Sequence, residues 1–351
     1  MTLSRTAPAC YAPSSPGDTI TLSHGEGGPA MRRLIRDRIA AKFSGNSIQL
    51  HSDAASLGKI AGEIAMTTDS FVVSPIFFPG GDIGSLAVHG TVNDLAMAGA
   101  KPLYLTLSLI LEEGFPVLTL DRVVDSVAQA AKACDVKVVA GDTKVVSKGA
   151  ADGIFINTAG IGVYLSDRKL AATAIQSDDV LIVSGPIARH GLAVLAARES
   201  LGFTPPPTSD SAPLHLVAAE LASALGEDLR TMRDATRGGV SAVLHEWAEE
   251  SGLAMRIDDS KVPLLPESHS VCELLGLDPL FVANEGTFVA AVAPHRVDDA
   301  IAIMQRHAQA GSPAAVGHVR TRQLSPVLIS RGLGGDQPLD EPIAAMLPRI
   351  C

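Results

Sequence analysis

The spacing of apolar residues predicts helices alternating with strands through the first half of the chain. Residues 28–42 carry apolar side chains at the three- and four-residue spacing of an amphipathic helix. Further apolar segments, bounded by glycine, proline or polar turns, predict strands at 64–73, 104–111, 136–140 and 154–163 and helices at 83–98 and 119–134. Strands that alternate with helices indicate an α/β (α+β) fold with mixed sheets packed against helices.

A second unit begins after a break near residues 165–178. Its pattern predicts a strand from Val180, a loop at 202–210, a helix at 238–251 and a strand at 286–293. We therefore expect four segments: a disordered Pro/Ser-rich extension at 1–18, domains at 19–165 and 175–336, and a mobile tail at 337–351.

The composition excludes several classes of protein. The 351 residues are 46% hydrophobic with a net charge of -10, so a nucleic-acid-binding surface is not expected. The N-terminus lacks the apolar stretch of a secretory signal, and no run of about 18 apolar residues could span a membrane. None of the 4 cysteines forms a CxxC pair, which indicates free thiols in a reducing compartment. We expect a cytoplasmic protein.

Four aspartates stand out because they lie in apolar or glycine-rich surroundings. They are Asp53, Asp69, Asp94 and Asp142. Ionised carboxylates are costly to bury without partners, and several that converge usually hold a hard cation. Mg²⁺ is typically bound by a few carboxylates, by waters and by phosphate oxygens of a substrate. The pattern predicts a site for magnesium and a nucleotide triphosphate, although each aspartate alone also fits a helix cap or a turn.

A glycine-rich turn before the helix predicted at 83–98 is a second candidate for nucleotide binding. Gly80, Gly81 and Asp82 open this helix, so its N-terminal N–H groups could contact phosphate. A helix cap explains the same residues equally well. The chain has neither a P-loop nor a convincing GxGxxG motif. The predicted cofactor-binding set is completed by the neighbours of two aspartates, Asn93 and Thr143.

Charged residues in nearby motifs are candidates for catalysis. Lys144 could neutralise phosphate charge, and Arg237 could hold a phosphate or carbonyl oxygen. Glu285 is a candidate general base. The alternatives are a solvated lysine at a strand end and, around Arg237, a helix-start signal from Asp234 or Thr236.

The chain ends in a cysteine, Cys351. A thiol on a mobile tip could enter the active site of its own chain or that of a partner, and Pro348 favours an extended approach. The alternative is an accidental residue in a frayed tail.

Together these motifs resemble the HypE family of hydrogenase maturation factors, which are carbamoyl dehydratases of the PurM-like superfamily of ATP-binding proteins. ATRGG and the spacing of the aspartates recur across that superfamily, whereas the terminal PRIC together with FFPGGDIG is specific to this family. The matching segments are HGEGG (24–28), TTDSFVVSPIFFPGGDIG (67–84), GTVNDLAMAGAKP (90–102), LILEEGFP (109–116), GDTKVV (141–146), FINTAGIG (155–162), RDATRGG (233–239), NEGT (284–287) and PRIC (348–351).

The resemblance implies an activity, cofactors and partners. Family members receive a carbamoyl group on the terminal cysteine, here Cys351, from the carbamoyltransferase HypF. ATP then drives its dehydration to a thiocyanate, and the HypC–HypD iron scaffold accepts the cyano group as a cyanide ligand of a [NiFe] hydrogenase. The resemblance also implies that the four aspartates hold Mg²⁺, that Lys144 and Arg237 stabilise charge, and that Glu285 removes protons. It further implies a PurM-like two-domain fold and a homodimer built from the N-terminal sheets.

Two other interpretations stay open. A different PurM-like ATP-dependent small-molecule kinase or synthetase would share the aspartates but would not need Cys351. A non-catalytic scaffold would dock a partner through its tail cysteine without turning over ATP.

Overall fold

A computed structural model describes residues 19–43, 52–307, 311–332 and 335–341 of the chain. The predicted extension at 1–18 and the terminal Cys351 lie outside the described residues. Within these ranges we find no helix with the length and apolar character needed to cross a membrane.

The N-terminal unit is built from strands, two long helices and a short helical segment near its start. That segment begins as helix α1 (Pro29–Leu34), continues as a π-helical turn at Ile35–Ile39 and ends as a 3₁₀ turn at Ala40–Lys42. In chain order the elements are α1 (Pro29–Leu34), β1 (Ile64–Phe71), β2 (Phe77–Phe78), β3 (Gly81–Asp82), α2 (Ile83–Met97), β4 (Ala100–Glu112), α3 (Val117–Ala133), β5 (Lys137–Val146) and β6 (Ile154–Tyr164).

Four of these strands form a mixed sheet in the order β1-β6-β4-β5, in which only β4 and β5 run parallel. Helices α2 and α3 pack on one face of the sheet. Helix α2 is apolar nearly all round because it lies between this sheet and the C-terminal unit. Gly160 of β6 permits its close approach, since a Cβ there would lie 2.6 Å from Thr91 of α2. Among the residues that the structure describes, no long helix packs on the other sheet face, and several of its side chains are exposed.

The C-terminal unit is a larger antiparallel-rich sheet with helices packed against it. In chain order its elements are β7 (Val180–Val183), α4 (His190–Arg198), α5 (His215–Leu225), β8 (Leu229–Asp234), α6 (Gly239–Ser251), β9 (Ala254–Asp258), α7 (Pro266–Leu275), β10 (Phe288–Val292), α8 (Val297–Gln305), β11 (Ala314–Arg320), β12 (Val327–Ser330) and β13 (Asp336–Pro338). The strands order as β13-β12-β9-β11-β7-β10-β8, with β12 and β9 parallel. Single 3₁₀ turns occur at Leu22–Gly25, Ala172–Ala174, Gly226–Asp228, Asp259–Lys261, Pro279–Phe281 and Pro294–Arg296.

Every element predicted from the sequence is present, but several ends differ. The strand predicted at 136–140 continues as β5 to Val146, because Val145 and Val146 resume the apolar pattern after a polar stretch. Asp142 therefore lies within a strand rather than after it. The tail predicted from residue 337 begins inside β13.

Candidate active site

A cleft of about 660 Å³ opens between the two units. Strand β1 and helix α2 form one wall, and β8 with the loop that follows it forms the other. Four predicted site residues from distant parts of the sequence line this cleft together: Asp69, Asp94, Arg237 and Glu285.

Asp69 and Asp94 form the N-terminal side of an acidic group in this cleft. Asp94 accepts a hydrogen bond from the Thr67 hydroxyl at 2.9 Å, and Asp69 accepts one from the Ser70 N–H at 2.7 Å. Burial raises the pKa of both carboxyls, and the charge of Asp69 raises that of Asp94 further. Partly buried carboxylates that repel one another are stabilised by a cation.

Asp234 and Glu285 form the C-terminal side of the group. Only 8% of Asp234 and 3% of Glu285 is exposed. Burial raises the pKa of Asp234 to about 7, and the charge of Asp94 contributes to that rise. Burial, followed by the charge of Asp234, also holds the pKa of Glu285 well above its ordinary value. Positive charge in the cleft would lower the pKa values of both carboxyls.

Asp234 is a site residue that the sequence analysis did not identify. An aspartate shortly before Gly238-Gly239 suggests the start of a helix, but helix α6 begins at Gly239 with Gly238 as its N-cap. Asp234 instead ends strand β8 beside the cleft. Its position at the end of a strand is the signal that could have found it.

The loop that carries Glu285 is fixed by a second buried aspartate, Asp210. The Asp210 carboxylate accepts hydrogen bonds from the N–H groups of Glu285 and Gly286, each at 3.1 Å, and from the Thr287 hydroxyl at 2.9 Å. A Cβ on Gly286 would lie 1.8 Å from the Asp210 carbonyl oxygen, so this close approach requires glycine. The direction of the Glu285 side chain is thus set by its backbone.

Asn93, predicted to bind the cofactor, is buried and bonded to protein groups. Its amide Nδ2 donates to the Ala212 carbonyl at 3.0 Å, and its Oδ1 accepts from the Leu214 N–H at 2.7 Å. These bonds tie α2 to the segment that contains Asp210. Nucleotide binding by Asn93 stays a prediction.

Two arginines bring positive charge to the cleft. Arg233 pairs with Glu246 at 3.0 Å. Arg237 forms no hydrogen bond or ion pair with any residue that the structure describes, and its charge partly offsets the raised pKa of Asp69. An uncommitted guanidinium beside carboxylates is available to bind a phosphate that arrives with a cation.

The other predicted acidic residues lie in a separate pocket of about 210 Å³ at the β5 edge of the sheet. Asp53, Asp142 and Thr143 line it together with apolar side chains of the helical segment near Ile35. Asp142 accepts from the Thr143 N–H at 2.9 Å and pairs with Lys144 at 3.2 Å. Asp142 and Lys144 are both solvent-exposed, so the pair contributes little to stability.

The four aspartates therefore do not share one site within a single chain. Register places Asp69 level with Gly141 of β5, across β6 and β4. Three strand spacings separate the two edges, which is about 14 Å. Among the described residues, no three histidine, cysteine or acidic side chains are arranged to hold a metal ion. Magnesium binding by these aspartates stays a prediction.

The glycine-rich turn has a structural explanation. Asp82 caps α2, accepting from the N–H groups of Gly84 at 2.7 Å and Ser85 at 3.2 Å. Gly80 has a φ of +95°, and a Cβ there would lie 2.7 Å from the Ser209 carbonyl oxygen. The cap and the close packing account for these residues, and contact of Gly80, Gly81 or Asp82 with phosphate stays a prediction.

Comparison with known proteins identifies the class and then the family. Residues 51–164 match the AIR synthase related protein N-terminal domain, and residues 176–327 match its C-terminal domain. Both domains of the AIR synthase related class are thus present. Carbamoyl dehydratase HypE of Rhizobium leguminosarum bv. viciae is 46% identical over 332 residues, which cover 95% of each chain. HypE of Escherichia coli (strain K12) is 41% identical over 339 residues, covering 95% of this chain and 100% of the relative. The chain belongs to the HypE family.

Solved structures agree with this assignment. A HypE in complex with ATP matches with a TM-score of 0.90 and 40% identity over 94% of this chain and 99% of that one. HypE from a HypE–HypF complex matches with a TM-score of 0.77 and 44% identity over 88% and 99%. A thiamine-monophosphate kinase from Stenotrophomonas maltophilia K279a, at 19% identity and a TM-score of 0.63, shares the fold alone. The predicted family and the PurM-like fold are confirmed.

Proposed function

We propose that this chain is an ATP-dependent carbamoyl dehydratase that acts on a carbamoyl group carried by its own Cys351. The thiocarbamate oxygen attacks the γ-phosphorus of ATP and ADP leaves. Loss of the resulting phosphate, with both N–H protons, converts the S–C(=O)–NH₂ group to S–C≡N. The observation that carries this proposal is that proteins named carbamoyl dehydratase match over 95% of this chain and over nearly all of their own length.

The chemistry of the cleft supports phosphoryl transfer there. Asp69 and Asp94 would hold Mg²⁺, which when bound would neutralise phosphate charge. Their raised pKa values indicate carboxylates that gain stability when a cation arrives. Arg237 would donate to a phosphate oxygen of ATP.

Glu285 would remove the amide protons. Burial and the neighbouring acids raise the pKa of its carboxyl well above the ordinary value, which disfavours the carboxylate form that a base requires. Positive charge beside it would lower its pKa and free the carboxylate when ATP is in place. This order would limit hydrolysis of the thiocarbamate before phosphorylation.

A homodimer would give Lys144 and the second pair of aspartates a role. The solvent face of the N-terminal sheet exposes 71% of Met66, 54% of Ile64 and 39% of Ile110. An apolar sheet face of this kind is typical of an interface with a partner. We propose that two copies pack these faces together.

A two-fold axis parallel to the strands would set β5 of one copy against β1 of the other. Asp142 is level with Ser70 in the strand register, and such an axis preserves that level. Asp53, Asp142, Thr143 and Lys144 of one copy would then lie beside the cleft of its partner. This arrangement would reunite the four aspartates that are separated within one chain.

HypF would supply the carbamoyl group, and the HypC–HypD complex would receive the cyano group, in the cytoplasm. The HypF assignment is supported by a solved HypE–HypF complex whose HypE chain is 44% identical to this chain. The role of HypC–HypD rests on family membership.

The mass of the C-terminal peptide tests the proposal. The protein would be incubated with HypF, its carbamoyl donor and Mg-ATP, alongside a Cys351→Ala variant. We expect an adduct on Cys351 that loses one water only with ATP, and no adduct in the variant. ATP turnover that survives Cys351→Ala, without an adduct on the wild type, would favour a small-molecule kinase of this fold.

A further inference from the structure

The last residues that the structure describes are attached to the sheet of the C-terminal unit. Strand β13 pairs with β12, and the next residue, Leu339, is buried with 5% exposed. Its N–H donates to the Val327 carbonyl at 3.1 Å. The segment before the tail is therefore part of the C-terminal core.

Two buried side chains of helix α6 contact the carbonyl groups of Leu339 and Asp340. The His245 Nε2 atom lies 3.1 Å from the Leu339 carbonyl oxygen, and its Nδ1 atom lies 2.8 Å from the Ser241 carbonyl oxygen of the same helix. The Nε2–H tautomer donates to Leu339. The Ser241 hydroxyl donates to the Asp340 carbonyl at 3.0 Å. Ser241 is fully buried and His245 is 8% exposed. Both side chains thus contact the carbonyl groups of consecutive residues in another segment.

This attachment lies near the cleft. Ser241 is four residues after Arg237, which lines the cleft, so their Cα atoms are at most about 14 Å apart. Ten residues follow Glu341 in the sequence, a reach of at most about 35 Å. Cys351 can therefore enter the cleft while Leu339 and Asp340 stay in place.

We propose that His245 and Ser241 are positioning residues that anchor the base of the C-terminal tail and so raise the effective concentration of Cys351 at the cleft. This inference rests on the proposed function, because it assumes that Cys351 carries the substrate. When the start of the tail is fixed close to the cleft, the encounter of Cys351 with the cleft is intramolecular. A start that moves more freely lowers the effective concentration of Cys351 there.

Hydrogen exchange tests the anchor without any assay of activity. His245→Leu and Ser241→Ala remove the donors, and His245→Gln keeps an amide donor near the Nε2 position. His269→Leu is the control, because His269 is exposed on α7. We expect exchange at the Leu339 amide to rise about tenfold in the His245→Leu, Ser241→Ala double variant, with His245→Gln close to wild type. Unchanged exchange at Leu339 in the double variant would overturn the proposal.

The rate of water loss can be measured in cis, from Cys351 of the same chain, and in trans, from a separate peptide. Comparing the two rates distinguishes a positioning role from a loss of folding or of cleft function. In cis, carbamoylated Cys351 of the double variant should lose water about five- to tenfold more slowly at saturating ATP. In trans, a carbamoylated peptide of residues 342–351 is offered to chains that carry Cys351→Ala. There the double variant should act faster than its parent, because its own tail competes less for the cleft.

A parallel fall in cis and in trans would assign these residues to the fold or the cleft and would overturn the anchor. If the wild type dehydrates neither substrate, the proposed function fails. The exchange data then decide the anchor by themselves.

Discussion

The two acidic pairs of the N-terminal domain differ in surroundings although the sequence presents them alike. Asp69 and Asp94 lie in the interdomain cleft, partly buried, with raised pKa values and two further acids beside them. Asp142 lies at the β5 edge, exposed and paired with Lys144, and Asp53 lines the same small pocket.

The difference lies in what each pair requires from a ligand. Carboxylates held close together in a buried cleft repel one another, so the folded chain is stabilised by an incoming cation. An exposed aspartate with a lysine neighbour has no such requirement. The cleft therefore has the electrostatics of a binding site within one chain, and the β5 edge does not.

Loss of one cleft carboxylate should have the largest effect. Asp94→Asn keeps an acceptor for the Thr67 hydroxyl but removes the charge, and we expect ATP-dependent water loss to fall by about 100-fold or more. The melting temperature at pH 8 should rise by about 2 °C, because an unfavourable buried charge has gone. Mass spectrometry of the tail and scanning calorimetry measure the two effects. An active Asp94→Asn variant would contradict the assignment of the cleft.

A charge on the solvent face of the N-terminal sheet should weaken the proposed dimer. Met66→Asp would place a carboxylate in the proposed dimer interface and weaken association by about 30-fold or more. Sedimentation velocity over a concentration series measures this. Leu274→Asp is the control, since Leu274 is exposed to the same degree on α7, at 72%. Equal behaviour of the two variants would remove the dimer from the proposal.

Local sequence patterns predicted several of the residues that line the cleft. Asp69 and Asp94 were identifiable because a charge inside an apolar strand or helix needs an explanation wherever the chain folds. Asp234 was not, since a nearby Gly-Gly turn offered a sufficient local reason for an aspartate. Only the packing of β8 against α2 shows that it faces Asp94.

The features of the site that the sequence did not predict depend on contacts between residues far apart in the chain. Asp210 is 75 residues from the Glu285 loop that it holds, and His245 is 94 residues from Leu339. No pattern of spacing or periodicity encodes such pairs. The separation of Asp142 from Asp69 is likewise set by strand order, which the apolar pattern does not specify.

The buried acids should make stability depend on pH in a direction opposite to that of ion-paired acids. Asp234 keeps its proton up to a pKa of about 7, whereas an unfolded aspartate loses it near pH 4, so the folded chain binds more protons in that window. The free energy of unfolding should therefore fall as pH rises from about 4 to 7, by up to ~1.4 kcal/mol per pH unit for one proton. Glu285, whose pKa is also raised, extends the decline.

Denaturant titrations at several pH values measure this decline. Asp234→Asn should flatten it, while Asp142→Asn, at the exposed edge, should leave it intact. A stability that rises across this pH range would mean that the cleft acids are ionised and already compensated.

The smallest effect is expected at the β5 edge and depends on the partner copy. Asp142→Asn should change the free energy of unfolding by no more than about 0.5 kcal/mol, because the side chain is exposed and its ion pair is weak. In the dimer it should nevertheless raise the ATP concentration needed for half-maximal turnover by about threefold, since Asp142 would then face the partner's cleft. In a Met66→Asp background the same change should have no further effect on that concentration. A full effect of Asp142→Asn in both backgrounds would place Asp142 at a site within its own chain, and no effect in either would leave the cleft carboxylates as the whole acidic site.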